Sequence, residues 1–354
     1  MKTQNTDLLV ADFDYELPPG LIAQEPLPDR SGSRLLVVDR ERNSISHDAL
    51  RNIGRWLRPG DLLVANNSRV LAARLEAVKR DSGGRIELLL LHPNPDGDWT
   101  ALARPAKKLK SGSLLIIEPR PRNSRPPAEI EVIRRGEEGE VTVRISMETM
   151  EHLADFGAVP LPPYIRHRLE DPERYQTVYA TAPGSAAAPT AGLHLTKELI
   201  EELQGQGIKW AEVTLHIGLD TFRPVSVERV EDHKIHSEWC SVSRETAAQI
   251  RQAKDDGQRV IAVGTTAART LETLGDASKE SFNTGLEGPT DIFITPGYTW
   301  RVVDALLTNF HLPRSTLLMM ISALAGRELI LSAYQAAIAE RYRFYSFGDA
   351  MLIV

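Results

Sequence analysis

Apolar positions follow two regimes along this chain. In the outer parts, short apolar runs alternate with stretches of helical period. Residues 35–39, 61–65, 208–217, 259–264 and 291–295 read as strands, mostly buried on both faces. Between them, residues 49–57, 197–203, 243–255, 267–274, 302–308, 315–325 and 327–343 read as helices. Thr196 and Ser243 stand where an N-cap hydroxyl is wanted, and Gly205 stands where a helix stops. Strand followed by helix, repeated, predicts an α/β fold: a mostly parallel sheet with helices on both faces.

The middle of the chain differs. Residues 72–78, 85–91, 99–104, 113–118, 128–133 and 140–145 form short β-rich runs, and no helical period interrupts them. Turn signals such as Ser82-Gly83-Gly84 and Asn94-Pro95-Asp96-Gly97 separate them. Regular short strands of this kind predict a small β-barrel. The expected organisation is an α/β catalytic domain made of 1–69 and 146–354, with a β-barrel inserted at 70–145.

Composition narrows the class. The chain has 354 residues, 42% of them hydrophobic and 25% charged, which suits a globular protein with two ordinary cores. No apolar run approaches the ~20 residues of a membrane span, and the start lacks the design of a signal peptide. A single cysteine, Cys240, leaves no internal disulfide and no cysteine metal motif, and reads as a small buried apolar residue. These features predict a cytoplasmic protein without membrane contact. The net charge of −6 argues against nucleic-acid binding by the whole surface but leaves local basic patches open. Lys107, Lys108 and Lys110 make one such patch in the inserted region, and Arg166-His167-Arg168 makes a second. Arg341-Tyr342-Arg343-Phe344-Tyr345 interleaves charge with aromatic rings, a pattern suited to stacking on extruded bases.

Candidate chemistry gathers at strand ends and helix starts. His194 precedes a helix and His216 ends a strand, and both places face the ligand crevice of an open α/β sheet. Gly264-Thr265-Thr266 lies between a strand and a helix, where open amides, two hydroxyls and Arg269 suit an anion such as a carboxylate. The polar strand end at Asn66 and Arg69 is a plausible ligand loop. Asn309 and His311 sit in a connection that Pro313 keeps extended, and are suited to hydrogen-bonding a base. His233-x-x-His236-x-Glu238 has a metal-like spacing without a third histidine fixed by spacing, so an acid–base or positioning role is favoured over a metal. No Walker motif and no Gly-x-Gly-x-x-Gly fingerprint follows any strand.

Several of these stretches together resemble the S-adenosylmethionine:tRNA ribosyltransferase-isomerases of queuosine biosynthesis. They are Asp12 to Pro18, Asn66 to Val70, Gly184 to Thr196 (with Thr190), Val213 to Pro224 (with Arg223), His233 to Glu238, Gly264 to Thr270, Thr290 to Gly297 and Leu307 to Pro313. Leu195 stands where Phe is expected, Ser68 for Thr, Ala72 for Pro, and Asp220 where Gly is common. The resemblance implies transfer and isomerisation of the ribosyl group of S-adenosylmethionine onto 7-aminomethyl-7-deazaguanine at the tRNA wobble position. The products are epoxyqueuosine-tRNA, adenine and methionine. It implies no cofactor beyond S-adenosylmethionine as co-substrate, and a monomer is expected. The reaction needs a base beside the sulfonium and an acid for departing adenine. His194 and His216 are the expected holders of those roles, with Glu238 and Asp291 as orienting carboxylates. Asn66, Arg69, Thr190, Arg223, Gly264, Thr265, Thr266, Arg269, Asn309 and His311 are the expected substrate contacts. Two rivals are a different α/β enzyme acting on a sugar phosphate and a non-catalytic RNA-binding protein.

Overall fold

A computed structural model describes residues 8–94, 96–121, 123–167, 169–218 and 225–354. Arg168, Asp220 and Arg223 therefore lie outside the described residues. The chain forms two compact units: residues 69–162 with 183–187, and the remainder.

The larger unit is built on β1 (Arg34–Asp39), β2 (Ser44–Ala49) and β3 (Leu62–Asn66). After a short strand β4 (Ser68–Val70), the smaller unit contributes β5 (Arg74–Lys79), β6 (Arg85–Pro93), β7 (Trp99–Arg104), β8 (Ser113–Ile117), β9 (Ala128–Arg135) and β10 (Glu140–Ile145). A five-residue helix α1 (Met147–Glu151) and strand β11 (Ala182–Ser185) follow. The chain continues through α2 (Lys197–Gly205), β12 (Lys209–Leu215), β13 (Glu238–Val242), α3 (Arg244–Asp255), β14 (Val260–Val263), α4 (Thr265–Asp276), α5 (Ser281–Thr284), β15 (Leu286–Thr290), β16 (Ala305–Asn309), α6 (Thr316–Ala325), α7 (Arg327–Ala339) and β17 (Ala350–Ile353).

Nine strands make one sheet in the order β15-β13-β12-β3-β14-β16-β17-β1-β2. Its centre, β12-β3-β14-β16, is parallel as expected. Antiparallel pairs at β12-β13, β13-β15, β16-β17 and β1-β2 make the sheet as a whole mixed. Period-two alternation sends Leu36, Val38, Leu62, Val64, Val260, Ala262 and Leu306 to the core shared with α3, α4, α6 and α7. Leu35, Val37, Leu63, Ala65, Ile261, Val263 and Leu307 face the opposite core, with α2 and the turn Leu50–Trp56. Each fully buried aliphatic side chain contributes ~1.5–3 kcal/mol, so both faces must be covered. Hydroxyl caps fix the helix starts: Thr196 accepts from Leu199 N at 3.1 Å, Ser243 from Thr246 N at 3.0 Å and Ser315 from Leu318 N at 3.2 Å.

Four expectations change. The run at 302–308, expected as a helix, is strand β16; all five of its residues are buried, and an apolar run of that length fits either element. The strand expected at 291–295 lies earlier, at β15, where Leu286–Thr290 pairs with β13. The helix expected at 49–57 is a 3-10 helix, Leu50–Trp56. The last helix ends at Ala339, and Tyr342, Phe344 and Tyr345 beyond it are buried in the core rather than displayed to RNA.

The smaller unit is a closed antiparallel barrel, β10-β7-β6-β5-β8-β9. Leu75, Leu88, Leu90, Leu115, Ile130, Val132, Val141 and Val143 fill it, and closure leaves no open edge.

Candidate active site

The carboxyl ends of β12, β14 and β16 open onto a cleft of about 650 Å³, counting its mouth. That is the place where an open α/β sheet holds ligands. Gly264, Thr265, Thr266, Thr190, Asn309 and His311 line it, as do Ile217, Phe310, Tyr164 and Tyr345. Among the described residues, the lining includes no Asp, Glu, Lys or Arg.

Gly264 lies between β14 and α4 with φ +91° and ψ 156°, a conformation almost confined to glycine. No side chain among the described residues caps α4, so its first-turn amides remain open to the cleft. Asn66 is fully buried and supports this corner. Its Nδ2 donates to Leu215 O at 3.0 Å and to Thr266 Oγ1 at 3.1 Å, while its Oδ1 accepts from Ser68 N and Leu215 N. The end of β3 is thereby tied to β12 and α4.

His194 ends the turn Thr190–His194, just before α2. It is buried and held at both ring nitrogens. Ser33 Oγ is 2.9 Å from Nδ1, and Asn309 Nδ2 is 3.1 Å from Nε2. Asn309 Nδ2 also donates to Tyr345 O at 2.9 Å. A carbonyl only accepts, so the Asn309 nitrogen is fixed in that position. His194 Nε2 is then the acceptor and Nδ1 carries the proton, donated to Ser33. Burial holds the His194 imidazolium down to a pKa of about 4, so the ring is neutral. His194 is not among the cleft-lining residues; Asn309 stands between it and the cleft.

Tyr345 has φ +70°, a strained conformation for an aromatic residue, and its carbonyl is the one that receives Asn309. Its ring lies 4.8 Å from that of Tyr164, whose hydroxyl is 2.7 Å from Ser346 Oγ. Burial raises the Tyr345 hydroxyl to about 12. His311 Nε2 is 2.8 Å from Thr308 Oγ1, and burial pushes its pKa down to about 3. Tyr15 donates to His311 O, and His311 N donates to Tyr334 at 2.7 Å.

His216 stacks on Trp239 with ring centroids 5.1 Å apart. Its Nδ1 is buried without a partner among the described residues, and burial lowers its pKa, so it too is neutral. Glu238 begins β13. It accepts from Gly218 N at 2.8 Å and forms a buried ion pair with Arg269. Each charge compensates the other. Arg269 is not among the cleft-lining residues, and its Nε and Nη2 are buried without a hydrogen-bond partner among the described residues. Asp291 is exposed just after β15 and away from the cleft lining. Arg69 belongs to the smaller unit. Cys240 is buried on β13, its thiol raised to about 11, consistent with a packing role. No group of three or more metal-ligating residues is found among the described residues.

Lys107 and Lys108 are exposed on a 3-10 turn, with Lys110 exposed beyond the buried Leu109. Arg166 is exposed, its backbone held by Gln24 at 2.9 Å. Ser33 carries no local signal that marks it, and Tyr345 stands in the Arg341 to Tyr345 stretch expected to stack on bases but here lines the cleft and receives Asn309.

A mixed α/β sheet whose strand ends open onto an apolar cleft with a few polar groups, and with no charged side chain among the described lining residues, defines the class of α/β folds that bind ligands at that edge. The family described as queuosine biosynthesis protein matches residues 10–353, and the chain belongs to that family. It is similar to the S-adenosylmethionine:tRNA ribosyltransferase-isomerase of Acetivibrio thermocellus, 51% identical over 346 residues, covering 97% of this chain and 99% of that one. The enzyme of the same name from Carboxydothermus hydrogenoformans is 49% identical over 345 residues, covering 97% and 99%. The crystal structure of S-adenosylmethionine tRNA ribosyltransferase from Thermotoga maritima matches with a TM-score of 0.56 at 38% identity, over 97% of this chain and 100% of that chain.

Proposed function

We propose that this chain is an S-adenosylmethionine-dependent tRNA ribosyltransferase-isomerase. It transfers and isomerises the ribosyl group of S-adenosylmethionine onto 7-aminomethyl-7-deazaguanine at the tRNA wobble position. Epoxyqueuosine-tRNA, adenine and methionine are the products. The observation that carries this reading is the cleft at the ends of β14 and β16. It combines open α4 amides, which suit the methionine carboxylate, with polar groups on an otherwise apolar wall, which suit an adenosyl moiety. A phosphate-binding isomerase is less well served, because no cation among the described residues lines the cleft.

Proton transfer needs a neutral imidazole with a free nitrogen, and His216, beside the cleft-lining Ile217 though not itself among the lining residues, offers one. We assign it as the base that acts beside the sulfonium. The Glu238–Arg269 pair positions it by holding the Gly218 amide. His194, with both nitrogens engaged, acts through Asn309 instead. Lys107, Lys108, Lys110 and Arg166 are assigned to tRNA phosphates. S-adenosylmethionine serves as co-substrate, and the chemistry needs no redox partner. The test is incubation with S-adenosylmethionine and tRNA bearing 7-aminomethyl-7-deazaguanine, followed by nucleoside mass analysis. Epoxyqueuosine with equimolar adenine is expected; an unmodified nucleoside pool overturns the assignment.

A further inference from the structure

We propose that Asn309 is a specificity residue, its side-chain oxygen reading the exocyclic amino group of the adenine ring. The inference rests on the cleft being the S-adenosylmethionine site. Asn309 is nearly fully buried at the end of β16 and lines the cleft. Both hydrogens of its amide nitrogen are committed, one to Tyr345 O at 2.9 Å and one to His194 Nε2 at 3.1 Å. The Oδ1 is buried and has no partner among the described residues. A buried, unpaired amide oxygen is costly, so it marks a place where a ligand donor belongs.

The network also forbids the opposite orientation. Turning the amide over would set Oδ1 against the Tyr345 carbonyl and leave His194 Nε2 without a donor. Asn309 is therefore held as a pure acceptor. The usual two-point asparagine–adenine pairing needs a free amide hydrogen and is closed to it. One donor on the ligand is what the site asks for. The ammonium of the methionine moiety would call for a carboxylate, and none among the described residues lines the cleft. The 6-amino group is a neutral donor on a flat ring, which suits walls made of Phe310, Tyr164 and Tyr345.

The experiment is calorimetric titration of the full chain with S-adenosylmethionine and with its analogue carrying hydrogen in place of the 6-amino group. The parent should bind the analogue about 5- to 150-fold more weakly, the effect of leaving one buried acceptor unpaired. Asn309→Ala should bind the two ligands within about twofold of each other. A parent that binds both equally well overturns the proposal without needing any variant, and so does an Asn309→Ala protein that keeps the full preference. A separate arm tests the site itself: Thr190→Trp, which obstructs the cleft, should abolish binding of both ligands. If Thr190→Trp binds S-adenosylmethionine as the parent does, the cleft assignment fails, and Asn309 fails with it.

Discussion

Replacing Glu272 by Gln changes one atom's chemistry and almost no volume, yet it should strongly destabilise the larger unit. Glu272 lies on α4 and is fully buried. Its Oε1 accepts from Val302 N at 3.0 Å and Val303 N at 2.8 Å. Its Oε2 accepts from Arg301 N at 2.9 Å and from Tyr298 Oη at 2.9 Å. The carboxylate thus fastens α4, whose start floors the cleft, to the segment that leads into β16 and Asn309. In Glu272→Gln the new NH₂ must face two donors. The best arrangement places it toward Tyr298, whose hydroxyl turns to accept, and leaves the Arg301 amide unpaired. An orphaned buried N–H costs ~1–3 kcal/mol, and the remaining bonds fall from charged to neutral strength, ~1 kcal/mol each. The total is about 4–6 kcal/mol, a large share of the ~5–15 kcal/mol of an ordinary domain. Urea unfolding followed by near-ultraviolet circular dichroism measures it. With m of ~3 kcal/mol/M the midpoint should fall by roughly 1.3–2 M. Exposed Glu245→Gln, in the first turn of α3, should lose no more than ~1 kcal/mol. A Glu272→Gln midpoint matching that of Glu245→Gln would refute the reasoning.

Three further outcomes are expected. His194 titrates at about 4 in the fold against 6.5 when unfolded. Its contribution is therefore complete above the unfolded value and is lost as pH falls toward 4, by up to roughly 3 kcal/mol. His194→Gln should flatten the urea midpoint against pH across that window, and an unchanged slope would count against the burial argument. Gly264→Ala should cost ~1–3 kcal/mol from backbone strain alone, because the added Cβ meets Ala191 at an ordinary 3.5 Å; an unaltered urea midpoint would contradict this. Reversing charge at Lys107, Lys108 and Lys110 should weaken tRNA binding and reduce the log–log salt slope by ~0.7–0.9 per lost phosphate contact, while S-adenosylmethionine affinity stays the same; an unchanged slope places the tRNA elsewhere.

The barrel strands were legible because turn residues punctuate them: Ser82-Gly83-Gly84 divides β5 from β6, and Asn94 to Gly97 divides β6 from β7. The parallel centre was legible from strand–helix alternation and from hydroxyl caps such as Thr196 and Ser243. β16 was not, since Ala305–Asn309 is central and buried on both faces and carries no alternation to distinguish it from a helix. β17 pairs with β1 across nearly the whole chain, and no local signal records such a partner. At the site, the glycine–threonine corner and Asn309 were readable as polar residues at strand ends. What His194 does was not readable. Its environment depends on Ser33 and Tyr345, which are distant in sequence, and on burial that keeps the ring neutral with both nitrogens engaged. Arg269 and Glu238 were each sensible alone. Only the fold pairs them.

The most direct test of the central claim, that the cleft at the ends of β14 and β16 holds the ribosyl donor, is a crystal structure of the chain with S-adenosylmethionine bound. The methionine carboxylate is predicted at the first turn of α4, beside Thr265 and Thr266, and the adenine amino group within hydrogen-bond distance of Asn309 Oδ1. S-adenosylmethionine bound elsewhere, with the cleft unfilled and Asn309 Oδ1 still unpaired, would contradict it.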